Sequence, residues 1–241
     1  DTFEGFTPSV FGAVHHTDSA SIDPRAFMGG LHGYLTQNGV DVRCDANVSD
    51  VVVERGRVRG VELDSGERLD GDTVVLAAGV WSSTLAKRLG LSLPMQPARG
   101  YHRDYKTTEH TPSIGGVIRD TAIAFTPMHD RFRIAGTLEL AGFDQPWIPR
   151  RLNAITTGAA AMISAVTSSR ESADWAGYRP CTPDGLPAVG PVSSIDGLFV
   201  STGHAMMGMT LGPVSGRIIA EQICSVPPSF DHSMLAVERF A

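Results

Sequence analysis

The chain has 241 residues, 42% of them hydrophobic and 19% charged, a balance that supports a buried core in one large or two small domains and excludes wholesale disorder. Its formal charge of −6 contains no strong block of either sign, which argues against nucleic acid as the main partner, and no apolar run approaches the ~18 residues of a membrane span. Cys44, Cys181 and Cys224 are far apart and in no metal-ligand spacing, so they read as reduced thiols of a cytoplasmic protein.

The opening stretch, DTFEGFTPSVFGAVHHTD, has no initiator Met and no secretory pattern, and it reads as cut from something longer. In SIDPRAFMGGLHGYLTQNG, Asp23 is an N-cap with Pro24 at the first helical position. Phe27, Leu31, Tyr34 and Leu35 share one face, and Asn38-Gly39 closes the helix. Gly29, Gly30 and Gly33 each cost roughly 1 kcal/mol against Ala, so either a neighbour packs closely there or the helix tolerates them.

Val48 to Glu54 and Arg57 to Leu63 are β-branched and partly alternating, joined at Arg55-Gly56, and Asp64-Ser65-Gly66 turns into a third short strand. A three-stranded meander follows from this. Thr73 to Ala77 is apolar without alternation, as in a strand buried on both faces of a parallel sheet. A helix from about Ser82 to Leu89 ends before Gly90.

From Pro94 to about Trp175 the texture shifts to longer antiparallel strands with polar alternation, ending with one Ala-rich helix from Arg150 to Ser169. This reads as a second domain. GYRPCTPDGLPAVGP, Gly177 to Pro191, holds four prolines and three glycines in fifteen residues, so it cannot be helix and has little capacity for sheet pairing. It reads as a stiff loop led by Arg179. A strand over Leu198 to Thr202, a Gly/Met loop and a helix starting near Leu211, with Pro213 near its start, complete the chain. Strand, Gly loop, helix is either an ordinary strand-to-helix turn or an arrangement that directs backbone N–H groups at an anion or an electron-rich ring edge.

SIDPRAF, NVSDVVVE, VVLAAGVWSS, LPMQPARGYHRDY, GYRPCTPDGLPAVGP and TGHAMMGMTLGPVSGRIIAEQI occur in this order from about Val14 to Ile223. Together they resemble the D-amino-acid oxidase and dehydrogenase superfamily of FAD-dependent amine oxidoreductases, in particular bacterial D-amino-acid dehydrogenase small subunits and glycine oxidases. The resemblance implies an α/β (α+β) chain: part of a glutathione-reductase-type FAD-binding domain at 14–93 and 176–225, a mixed-sheet substrate domain at 94–175, and a connecting segment at 1–13. The family's N-terminal strand, G-x-G-x-x-G turn and helix have no counterpart in these 241 residues. The chain therefore reads as the C-terminal part of a longer flavoprotein, which needs a dinucleotide-binding segment or a partner chain to hold FAD.

The resemblance also implies residue roles. Arg179 matches the arginine that grips the substrate carboxylate, and a Pro-braced guanidinium fork suits a carboxylate bidentately at small ordering cost. Tyr101 matches a strand facing the flavin, where it either meets substrate or packs as a sheet tyrosine. Gly203, Met206, Met207, Gly208, Met209 and Thr210 match the loop whose backbone approaches the flavin ring, with the methionines as contacts or as flexible filler. Glycine oxidases carry a second arginine at the position of Met206, so two-arginine clamping is absent here. Val48 matches a backbone position at the adenine. Ala78, Gly79 and Trp81 match the turn beside the flavin, with core packing the alternative for Trp81. His15, His16 and His204 have no companions that complete a metal set.

The implied reaction is oxidation of a D-amino acid, or a related small amino acid, to an imine by hydride transfer to flavin, with no dedicated acid-base residue. An N-methyl amino-acid oxidase of the sarcosine kind, or a non-catalytic fragment that binds a partner chain, remain alternatives.

Overall fold

The computed structural model describes residues 4–143, 145–169 and 171–241. In chain order the elements begin with α1 (Pro24–Gln37), β1 (Val48–Glu54), β2 (Arg57–Leu63), β3 (Arg68–Asp70), β4 (Val74–Leu76) and α2 (Ser82–Arg88). β5 (Gln96–Tyr105), β6 (Gly116–Ile118), β7 (Ile123–Pro127), β8 (Phe132–Glu139), α3 (Pro149–Ala160) and α4 (Ser164–Ser168) follow. The chain continues with β9 (Glu171–Cys181), β10 (Ala188–Pro191), β11 (Leu198–Thr202) and α5 (Gly208–Ile223). Two compact units result, Asp1–Val40 with Arg99–Gly177, and Asp41–Ala98 with Tyr178–Ala241. The helix α1 thus groups with the first unit. Residues 1–3 of the expected connecting segment lie outside the described residues.

In the second unit the meander forms as its turn chemistry dictates, in the order β1-β2-β3. Arg55 (φ 52°) and Gly56 (φ 76°) both take the positive φ that a two-residue hairpin turn requires. The other sheet runs β10-β11-β4, with β11 antiparallel to β10 and parallel to β4. Val51, Val58, Leu76, Ala86, Leu198 and Val200 build the main core, and Ile218 and Ile219 of α5 bury against Val189. Each of these valines, leucines and isoleucines contributes about 1.5–3 kcal/mol relative to exposure. The parallel pairing expected of β4 is present, but coverage of both its faces is not: Leu76 is buried while Val75 is 39% exposed.

Two further expectations need correction here. The Pro-rich stretch is not all loop, because Gly177 to Cys181 finishes β9 and Ala188 to Pro191 is β10. A proline removes only its own donor, and the carbonyl of Pro180 still accepts, from Ala205 N–H at 3.0 Å. Only Thr182 to Pro187 is loop. The last helix starts at Gly208, three residues before the expected start, so Pro213 lies inside α5 and removes one internal hydrogen bond.

In the first unit a five-stranded sheet is ordered β6-β7-β8-β5-β9. Leu152, Ile155 and Ala159 of α3 pack against Tyr101, Tyr105, Ile123, Phe132 and Ile134. The single Ala-rich helix expected over Arg150 to Ser169 is broken into α3 and α4. Thr7 N–H donates to the Met162 carbonyl (2.9 Å), Ser164 N–H to the Gly5 carbonyl (2.9 Å) and Thr7 Oγ1 to the Ala161 carbonyl (2.7 Å). This pairing with residues some 155 positions away draws Ile163 into an extended conformation (φ −122°, ψ 113°) and seats its side chain fully in the core.

The Asp23 cap, Pro24 and Asn38-Gly39 delimit α1 as expected, with Asp23 accepting from Arg25 N–H at 2.9 Å. No residue of α1 is buried, and nothing stands within 4 Å of a side chain built at Gly29, Gly30 or Gly33. The helix is tied to its unit at the cap, where Asp23 also accepts two hydrogen bonds from Arg131 (2.8 and 2.9 Å).

Candidate cofactor and substrate site

The second unit draws three segments together at the end of β11. Thr202 is buried, and its Oγ1 donates to the Gly79 carbonyl at 2.9 Å, joining the strand to the turn Gly79–Trp81. The chain then reverses through Gly203 (φ 82°) and Ala205 (φ 47°). Ala205 N–H donates to the Pro180 carbonyl, and Cys181 and His204 form an antiparallel bridge. The residues that flank Arg179 are in this way hydrogen-bonded to the loop that precedes α5.

The loop is held from behind as well. His204 Nε2 lies 2.8 Å from Ser215 Oγ, a buried hydroxyl on α5, and burial pushes the His204 imidazole below its ordinary value. A neutral ring is therefore the partner of that serine at neutral pH. Met207 caps α5 through its carbonyl, which accepts from Thr210 N–H (3.0 Å) and Leu211 N–H (2.8 Å), with no side-chain cap, and this first turn carries the positive end of the helix dipole. Met206 (70%) and Met207 (50%) are exposed at that end, and Trp81, in the turn joined to Thr202, is 59% exposed.

Arg179 is half-buried, and burial lowers its guanidinium pKa from the ordinary arginine value. Burial raises the Cys181 thiol, so it is a neutral neighbour at pH 7. A guanidinium taken partly out of water binds a carboxylate more strongly than one in bulk solvent.

Of the residues singled out in the sequence, Arg179, Ala78, Gly79, Trp81 and Gly203 to Thr210 belong to this one unit, and Val48 opens β1 in the same unit, half-buried and paired with Leu63. Ala78 packs on the main core. Gly208 is exposed and helical. Tyr101 belongs to the first unit and is 1% exposed, and its hydroxyl donates to Glu139 Oε2 at 2.6 Å. Strand alternation turns Tyr101, Arg103 and Tyr105 toward α3, so Tyr101 packs as a core tyrosine of the first unit.

Alternation turns His102 to the opposite face, where it stacks on Trp175 with centroids 4.9 Å apart and planes 16° from parallel. Burial, then the positive charge of Arg133, pulls His102 down to about 4. Nothing local in the sequence marks this pair, which is 73 positions apart. Arg239 and Asp184, joined at 2.7 Å, were equally invisible.

Residues 1–222 match the family described as DAO, FAD dependent oxidoreductase. The chain is 34% identical over 220 residues to a D-amino acid dehydrogenase of Methylobacterium nodulans, covering 90% of this chain and 52% of that protein. A D-amino acid dehydrogenase of Xanthobacter autotrophicus is 33% identical over 221 residues, 91% of this chain and 52% of that protein. The chain therefore spans about half the length of the curated relatives it matches. Among solved structures, L-proline dehydrogenase from P. horikoshii superposes with a TM-score of 0.81 at 19% identity, over 90% of this chain and 60% of that one. Glycine oxidase from Bacillus cereus gives 0.76 at 24% identity, over 86% and 56%. The likeness to these structures establishes a shared mixed α/β fold with mixed sheets. With nearly its whole length matched, the chain belongs to the DAO family of FAD-dependent oxidoreductases.

Proposed function

We propose that this chain is part of an FAD-dependent dehydrogenase that oxidises the amine of a D-amino acid to an imine, with Arg179 gripping the substrate carboxylate. The reading is supported most by the joint between Pro180 and Ala205, which couples the arginine-bearing strand to the Gly203–Thr210 loop. The names of the relatives at 33–34% identity point to the same substrate class. Assignment of residues 14–93 and 176–225 to the cofactor and of 94–175 to the substrate belongs to this proposal. So does a dinucleotide-binding segment outside these 241 residues, because the phosphate loop of that fold is not among them.

The residues present fit a flavin ring. α5 has no side-chain cap; Thr210 and Leu211 N–H donate to the Met207 carbonyl, which leaves the Gly208 and Met209 N–H groups of its first turn to meet an electron-rich edge, with the exposed Met206 and Met207 as apolar surface beside it. FAD supplies the two-electron acceptor when bound. The chain's own contribution is positioning: two parallel N–H donors of Arg179 fix the carboxylate and with it the α-carbon, at little entropic cost because β9 and the Pro loop hold the fork. The methionines and Trp81 keep water from the reacting carbon. The substrate amine reacts as the free base, so no protein group has to remove a proton during transfer, and the imine hydrolyses to a keto acid and ammonia.

The test is anaerobic reduction of the full-length flavoprotein by D-alanine, L-alanine, glycine and sarcosine. Flavin bleaching by D-alanine, and not by its mirror image, is expected. Bleaching by sarcosine and not by D-alanine would assign the N-methyl amino-acid class instead.

A further inference from the structure

Arg239 lies 55 positions from the loop that follows Arg179, and all five of its N–H donors are used. Nε donates to Asp184 Oδ2 (2.7 Å), and Nη2 donates to Asp184 Oδ1 (3.3 Å) and the Leu186 carbonyl (2.7 Å). Nη1 donates to the carbonyls of Leu235 (3.0 Å) and Ala236 (2.9 Å), and the guanidinium lies 4.1 Å from the Phe240 ring centroid. One planar group therefore joins two carbonyls of the segment around residues 233–240 to the Thr182–Pro187 loop. That segment is itself anchored. Val237 is buried, and Glu238 accepts from Ser193 N–H at 2.7 Å.

The connection continues inward. The Leu186 carbonyl that receives Arg239 also accepts from Thr182 Oγ1 (2.7 Å), and Leu186 N–H donates to Asp184 Oδ1 (3.1 Å). Thr182 is buried, and its Cγ2 occupies the space where a side chain on Gly203 would stand. Two residues further, Ala205 N–H meets Pro180.

We infer that Arg239 is a positioning residue: through Asp184 and Leu186 it fixes the Thr182–Pro187 loop, and through Thr182 it fixes the Gly203–Met207 turn. This deepens the reading of Arg179 and the Gly203 loop as the reaction site and rests on it for its functional consequence. Arg239 touches neither substrate nor cofactor in this scheme. Its effect is to hold the loop that follows Arg179 and the turn that approaches the flavin.

The experiment compares Arg239→Gln, Arg239→Lys and Asp184→Asn with Val237→Ala in the flavin-loaded, full-length protein. Val237→Ala is a control that weakens the same segment without touching the clamp. Amide exchange at Ala205 and Leu186 is read alongside the thermal midpoint and steady-state kinetics. In Arg239→Gln, exchange at Ala205 is expected to accelerate about tenfold or more, with KM rising more than kcat falls. Arg239→Lys should not restore protection, since three donors on a point charge cannot span Asp184, Leu186 and the 235–236 carbonyls together. Unchanged exchange at Ala205 in Arg239→Gln overturns the inference. An equal acceleration in Val237→Ala at matched thermal midpoint also overturns it, because Arg239 then acts only through global stability. Faster exchange with unmoved KM leaves the clamp standing and counts instead against Arg179 as the carboxylate grip.

Discussion

Thr182 and Gly203 meet so closely that a Cβ on the glycine would stand 2.7 Å from Thr182 Cγ2. The threonine cannot swing away cheaply, because it is buried, β-branched and hydrogen-bonded to Leu186. Gly203 also has φ 82°, where an L side chain is strained. Gly203→Ala should therefore lose about 2–4 kcal/mol, from left-handed strain and overpacking together. Gly208 differs, being the first residue of α5 with its nearest contact at 3.8 Å. Gly208→Ala should stay within about 0.5 kcal/mol. Urea midpoints of the two variants check the contrast, and similar losses at both positions would refute it.

Arg179→Met keeps much of the apolar stem and removes the fork. Leaving a desolvated carboxylate without its partner costs about 2–5 kcal/mol, which is roughly 30- to several-thousand-fold in kcat/KM. Flavin content should hardly change, Arg179→Lys should recover only part of the loss, and amines without a carboxylate should respond little to either. If the methionine variant oxidises D-amino acids within about threefold of the parent, the grip lies elsewhere.

His102 should make stability depend on pH above the carboxylate range. Its pKa in the fold is pulled from 6.5 to about 4. Above 6.5 both folded and unfolded chains hold it neutral; between 6.5 and about 4 only the unfolded chain binds the proton, so stability falls as pH drops through that window. The loss should reach about 1–3 kcal/mol. His102→Gln should flatten the slope between pH 6.5 and 4.5, which denaturation at a series of pH values tests directly. The same titration should alter Trp175 fluorescence, since a charged imidazole would stack on the indole.

Asp184 sets a lower window. Its hydrogen bond from Arg239 holds its carboxyl at about 2. A depressed carboxylate stabilises the fold above its unfolded value, near 3.9, and that contribution disappears as pH falls through the folded value. Asp184→Asn should be less stable than the parent at pH 7, and the gap should narrow between about pH 4 and pH 2. A gap that stays constant to pH 2 would mean that the carboxylate charge is not what Arg239 holds.

The parts of the fold legible in the sequence are those whose causes are local. Asp23-Pro24 starts α1, Arg55-Gly56 and Asp64-Ser65-Gly66 turn the meander, and Leu198 to Thr202 is a strand with the predicted bounds. The family match itself was readable from the order of six short motifs, and the match to residues 1–222 agrees with it. What escaped depends on distant partners. The break after Ala160 exists because Gly5 to Thr7 pairs there, and β9 continues through Pro180 because Ala205 supplies a donor to its carbonyl. Tyr101 was singled out by resemblance, yet a strand seats adjacent residues on opposite faces, so a sequence match alone does not say which of Tyr101 and His102 turns toward α3. Arg239 carried no signal, since two of its acceptors are ordinary neighbouring carbonyls and the other partners, Asp184 and Leu186, lie more than fifty positions away.

β4 ends the order β10-β11-β4 and runs parallel to β11, which has a topological consequence. A hairpin can add only an antiparallel neighbour, so a strand of the same chain joined directly to β4 and parallel to it must arrive through a crossover of a dozen residues or more. Such crossovers are right-handed in nearly every sheet, because a twisted strand feeding a helix packs back only that way. Among the described residues β4 ends its sheet, so the handedness of a directly connected parallel neighbour at Val74–Leu76 is set in advance, whereas a strand from a separate chain carries no such constraint. A three-residue strand also admits few registers, and the alternation of exposed Val75 with buried Leu76 narrows these further, because a one-residue slip would exchange their faces.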